Sequence, residues 1–156
     1  DDVELIDESQ DETAYLIVAN ETRRIIDGVP RWPNELFAGI LPPEAGVEER
    51  SISSTKGCYT GQEVVARMFY RGKPKKRLFL LASDSPIDSA SELLQLNDGK
   101  TKTAEILSIG AGGRHAGDPA LLLAILDTAA VEEGWKFALS DQSESFLQIQ
   151  SLPYTE

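Results

Sequence analysis

The stretch ELLQLNDGKTKTAEILSI, Glu92 to Ile109, decides the fold. Two apolar-rich runs flank Asn97-Asp98-Gly99, and Asx-Gly between such runs is the strongest short-range hairpin signal, because both turn residues tolerate the left-handed backbone a tight hairpin needs. The spacing predicts strands over 92–96 and 101–109. Working outward, four more short runs read the same way: Arg77 to Ala82, Ala120 to Asp127, Trp135 to Leu139 and Ser145 to Gln150. Glu133-Gly134 and Ser140-Asp141 punctuate them as turns. Six strands this closely spaced predict a small antiparallel β-barrel.

Upstream of Lys76 the pattern is helical. Tyr15, Leu16, Ile17, Val18, Ala19, Ile25 and Ile26 predict a helix over 13–27, stopped by Gly28 with Pro30 beyond it. The segment 29–54 holds Pro30, Pro33, Pro42, Pro43, Gly39 and Gly46, and reads as a surface-wrapping loop with little regular structure. A second helix is expected over 60–70, ended by Gly72 and Pro74. Thr60 and Glu63 have capping-box spacing, and Tyr59 and Val64 that of the accompanying hydrophobic staple. The fold class is α+β, with a boundary near Lys73: 1–74 as a helix-containing unit, 75–156 as the barrel.

The chain of 156 residues has 41% hydrophobic and 26% charged residues, an ordinary globular composition. A net charge of −11 disfavours broad nucleic-acid binding. Seven acidic residues and no basic one fall in Asp1 to Glu12, while Arg67, Arg71, Lys73, Lys75, Lys76 and Arg77 crowd into 67–77. That basic run is either a solvated connector or a dock for a polyglutamate tail or acidic partner. With one cysteine, Cys58, no intrachain disulfide can form. The longest apolar run, Ala120 to Leu126, is too short to span a bilayer, so neither membrane nor leader is expected. The expected location is the cytoplasm, or the mitochondrial matrix in a eukaryote. The absence of an initiator Met and the abrupt start suggest a piece of a longer protein.

Four blocks carry a family resemblance: Arg24-Ile-Ile-Asp-Gly28, Val29-Pro-Arg-Trp32, Leu41-Pro-Pro-Glu-Ala-Gly46 and Lys56-Gly-Cys-Tyr-Thr-Gly-Gln-Glu63. Together they resemble the YgfZ family, folate-binding relatives of the glycine-cleavage T-protein (aminomethyltransferase), with the octet Lys56 to Glu63 as its signature. The likeness is close over 24–77 and extends to the barrel only by pattern. It implies that the chain is the C-terminal half of such a protein, with much of the folate pocket supplied upstream. Pro33 departs from the family's usual Gly after the aromatic residue, and Ile26 from the acidic residue of the T-protein pattern, which leaves the pterin side of the pocket undefined.

The resemblance places the chemistry. Cys58 is the central residue of the signature. A helix start and Lys56 favour a thiolate there, although free cysteine is also among the most buried residue types. The resemblance makes it the reactive-thiol candidate. Arg24 either compensates the helix C-terminus or, as in the T-protein, pairs with folate's glutamate tail, for which a guanidinium fork is suited. Trp32 either covers the ligand's ring system or belongs to the core. Lys56 and Gln62 complete the folate-binding set. Thr60 and Glu63 are assigned to capping. His115, the sole histidine, lies in a glycine-rich loop, and one His with one Cys makes no metal site, so none is expected.

The resemblance implies tetrahydrofolate, or a derivative, as cofactor. The function it implies is support of iron–sulfur cluster assembly or repair, with effects on iron–sulfur enzymes that modify tRNA. Iron–sulfur proteins or assembly factors are the expected partners. Two alternatives stay open: aminomethyl transfer to tetrahydrofolate, and a non-catalytic interaction module.

Overall fold

A computed structural model describes residues 8–53, 55–110, 119–142, 145–150 and 152. His115 and the core of its loop lie outside the described residues, as does most of the acidic start. The elements run α1 (Glu8–Ile26), α2 (Glu48–Ser51), α3 (Gln62–Arg71), β1 (Lys76–Ser83), β2 (Leu93–Asn97), β3 (Lys100–Gly110), β4 (Ala120–Asp127), α4 (Thr128–Glu132), β5 (Lys136–Leu139) and β6 (Phe146–Gln150).

The six strands close into an antiparallel barrel in the order β1-β4-β3-β2-β5-β6. The hairpin forms at its expected place: Asn97 pairs with Lys100, and Asp98 and Gly99 take φ of 32° and 80°. Both are left-handed, the condition that selects Asx-Gly. β1 and β4 pair over eight residues, from Lys76↔Asp127 to Ser83↔Ala120. β6 closes the barrel by pairing with β1 on one side and β5 on the other.

Alternation along the strands splits the apolar residues into two sets. Leu81, Leu93, Leu122, Ala124, Leu126, Phe137, Leu139 and Leu147 form one cluster. Leu78, Leu80, Ala82, Leu121, Leu123 and Leu152 form the second, with Ile25 of α1 packed into it. The C-terminal half of α1 is thereby seated on the sheet. Gly110 permits the approach: a Cβ there would lie 3.2 Å from Ile25 Cδ1 and 3.6 Å from Thr22 Cα.

Helix α1 ends as expected. The Val29 amide donates to Arg24 O at 3.0 Å and the Gly28 amide to Ile25 O at 2.9 Å, the paired bonds of a Schellman motif. The loop beyond it lies on the barrel, tied where the Leu78 amide donates to Glu44 O at 2.7 Å. The segment expected to have little regular structure holds one short helix, α2, whose Glu48 pairs with Arg77 at 2.9 Å. The short α4 was also unforeseen. Asp127 caps it by accepting from the Ala129 amide at 3.2 Å.

The capping box at Thr60 and Glu63 is not formed. Helix α3 starts at Gln62, with Gly61 as N-cap at φ 87° and no side-chain cap. The left-handed turn, which glycine alone makes without strain, delays the helix by a residue. Glu63 then stands at the second helical position and pairs forward with Arg67 at 2.7 Å. The proposed staple falls with the box. Val64 is half exposed, and Val65, at 6% exposure, is the inward residue.

Candidate functional site

The two parts of the expected site have different characters. Around Arg24 the structure builds a closed polar node. Glu21, one turn back on α1, receives Arg24 Nη2 at 2.8 Å and Nε at 3.1 Å. Glu35, fully buried, receives Nη1 at 3.0 Å. Ser108 Oγ receives Nη2 at 2.9 Å, and the Val29 carbonyl accepts from Nη1. Every nitrogen of the guanidinium is engaged. Arg31 extends the node by donating from Nη1 to Glu21 at 2.8 Å and from its backbone amide to Glu35 at 2.9 Å.

The barrel contributes to this node through an irregularity in β3. Its register against β4 shifts between Ile106 and Ser108, leaving Leu107 between two paired residues. Such bulges redirect groups out of the ladder. The Leu107 carbonyl accepts from Asn34 Nδ2 at 3.2 Å, and Ser108 Oγ accepts from the same nitrogen at 3.2 Å. Loop, helix and barrel therefore meet at Arg24.

Electrostatics follow. Burial works against the Arg24 charge, but the hydrogen bonds and charges of Glu21 and Glu35 outweigh it and raise its affinity for its proton. The Arg24 hydrogen bond holds the Glu21 carboxyl below its usual range, with the charges of Arg24 and Arg31 adding to it.

The signature segment is the opposite: open and outward. Cys58 is a free, exposed thiol. Lys56 Nζ stands 4.4 Å from the centre of the Tyr59 ring, a cation–π contact. Gln62 is half-buried, and its amide donates to Tyr59 O at 3.2 Å. Trp32 is 66% exposed, so it is not a core residue. Among the described residues, no hydrogen bond or ion pair joins Arg24 or Trp32 to Lys56, Cys58 or Gln62. The basic run is partly committed: Lys73 pairs with Glu132 and Arg77 with Glu48.

Clefts on the described surface include two that are not lined by the expected folate residues. One, of about 610 Å³, lies between the loop and the barrel wall, with Phe37, Ile40 and the carboxylates Glu44, Glu92, Glu105 and Asp127 on its sides. The other, of about 340 Å³, lies between β1, β6 and α4. Among the described residues, no cluster of His, Cys, Asp or Glu could hold a metal ion. Nor is any described helix long and apolar enough to cross a membrane.

No family model matches the chain. It is similar to the tRNA-modifying protein YgfZ of Yersinia enterocolitica, 31% identical over 132 residues, which is 82% of this chain and 39% of the relative. The YgfZ of Pectobacterium atrosepticum is 36% identical over 129 residues, 81% of this chain and 38% of the relative. That of Photobacterium profundum is 33% identical over 135 residues, 84% and 40%. Over that stretch the chain belongs to the YgfZ family. It spans about two fifths of the length of these relatives.

Glu35, Asn34 and Ser108 of the Arg24 node were not legible as site residues. Glu35 sits in a proline-rich loop without periodicity, and Ser108 is one polar residue in an apolar strand. The one available signal was an acidic residue in the loop eleven positions after Arg24, and it does not reveal burial.

Proposed function

We propose that the chain is part of a folate-binding accessory protein that supports iron–sulfur cluster assembly or repair, and through it the iron–sulfur enzymes that modify tRNA. The observation that carries this reading is the exposed Cys58 thiol, held beside the Lys56–Tyr59 contact at the mouth of α3. A sequence of this family with its central cysteine presented to solvent suits thiol chemistry on a partner better than a packing role. The relatives' name, tRNA-modifying protein, agrees in direction.

In this reading tetrahydrofolate, or a derivative, is held jointly by this chain and the remaining length that its relatives have. The ligand would supply one-carbon or redox chemistry when bound. This chain's residues bind and orient. Trp32 offers a flat apolar face, and Lys56 and Gln62 offer polar contacts. Arg24 meets the glutamate tail only by giving up a present partner. Glu21, 23% exposed against 0% for Glu35, is the one it can exchange. A ligand carboxylate would then sit between Arg24 and Arg31, where Glu21 sits now.

The test compares cells lacking the gene and carrying either the wild-type protein as encoded or its Cys58→Ser variant. Activity of iron–sulfur tRNA-modifying enzymes restored by the wild type but not by the variant is expected. Equal rescue would remove Cys58 from the mechanism.

A further inference from the structure

Helix α1 changes character half-way along. Its C-terminal half is amphipathic in the usual sense: Thr22 and Ile25 are buried, and Glu21, Arg23 and Arg24 carry the polar side. The seven residues before it, Thr13 to Ala19, hold no charge. Tyr15, Leu16, Ile17 and Val18 are 70%, 53%, 64% and 48% exposed. At about 100° per residue, four consecutive positions point to nearly every side of a helix. The exposed surface is therefore a collar around the helix, not a stripe along it. A helix apolar all round is stable only when surrounded. A single flat face or groove leaves part of such a collar wet, so the occupant needs several elements.

We propose that Tyr15 to Val18 is an interior strut of the complete protein, enclosed by the part of the YgfZ architecture that lies outside this chain. More than half of each relative's length is outside the match, enough for a globular unit of the required size. The same helix carries the arginine node at its other end. Docking at 15–18 thereby fixes the helix that carries Glu21 and Arg24, and couples assembly of the two parts to the geometry of the arginine pair.

The experiment is amide hydrogen exchange on the protein as its gene encodes it, beside the 156-residue chain alone. The amides of 15–18 are expected to exchange about 100-fold more slowly in the former, while those of Leu122 to Ala124 report an unchanged barrel in both. Ile17→Glu is expected to erase the difference, and the milder Ile17→Ala to reduce it. Equal rates in the two proteins would overturn the proposal. Protection that appears only as the concentration of the 156-residue chain rises would also overturn it, by making a second copy the occupant.

Discussion

Glu35 is the residue on which the loop, the helix and the bulged strand agree. It is fully buried, it neutralises Arg24 at 3.0 Å, and it accepts the Arg31 amide. Its removal leaves a part-buried guanidinium short of a partner. Breaking a buried pair costs about 3–5 kcal/mol, and Glu35→Ala should fall near 3 because Glu21 continues to neutralise Arg24. Urea titration of the variant measures it. Glu21 contributes differently. Arg24 depresses its carboxyl below the ordinary 4.5. The unfolded chain thus binds the proton more tightly than the folded one, and the stabilisation is full above pH 4.5 and lost as pH falls through the lower, folded value. Glu21→Gln should therefore be less stable than wild type at neutral pH, with the gap closing on acidification. A gap that widens at low pH would refute this origin. Neither carboxylate was visible as a partner in the sequence. Arg24 stood out in the sequence as a candidate, but its partners lie 3, 11 and 84 residues away, and only folding selects them.

At the scale of elements, the start of α3 separates two accounts of the same eight residues. With Gly61 as the cap, Thr60 is an exposed residue outside the helix. Thr60→Ala should change stability by no more than about 0.5 kcal/mol, whereas a working cap would cost about 1. Gly61→Ala, forced to φ 87°, should cost about 1 kcal/mol instead. Chemical denaturation of the pair distinguishes the two. The seat of α1 is equally testable. Gly110→Ala places a methyl 3.2 Å from Ile25 Cδ1 and should cost about 1 kcal/mol, most of it recovered by Ile25→Val in the same chain. The elements themselves were the most legible level. All six strands fall within a residue or two of their expected ends, because apolar runs bounded by turn residues are a local signal. The capping box failed because two motifs, a Thr-x-x-Glu box and a glycine turn, competed for one helix start, and the backbone freedom of Gly61 decided it.

At the scale of the molecule, one cluster makes the barrel cooperative. Leu122, fully buried in it, belongs to β4, which is paired on both sides. Leu122→Ala should cost about 3 kcal/mol and lower Tm by about 10 °C in a single transition seen by both near- and far-ultraviolet circular dichroism. Two separate transitions would mean that the helices melt independently of the barrel. Barrel closure was predictable from strand number and spacing, but the order β1-β4-β3-β2-β5-β6 was not. That order depends on which strands meet after the chain has folded back, a matter of pairing across long separations.

The order has a consequence in time. β6 is the last of the six described strands to be made, and it joins β1 to β5. While the chain emerges from the ribosome, five strands can be present with both of those edges open. Unpaired edges recruit other chains as readily as their proper partner. The interval between the synthesis of Leu139 and the arrival of Phe146 to Gln150 is thus the time when these two barrel edges stand open. A stall placed there should send the nascent chain to chaperones, and the same stall placed after β6 should not.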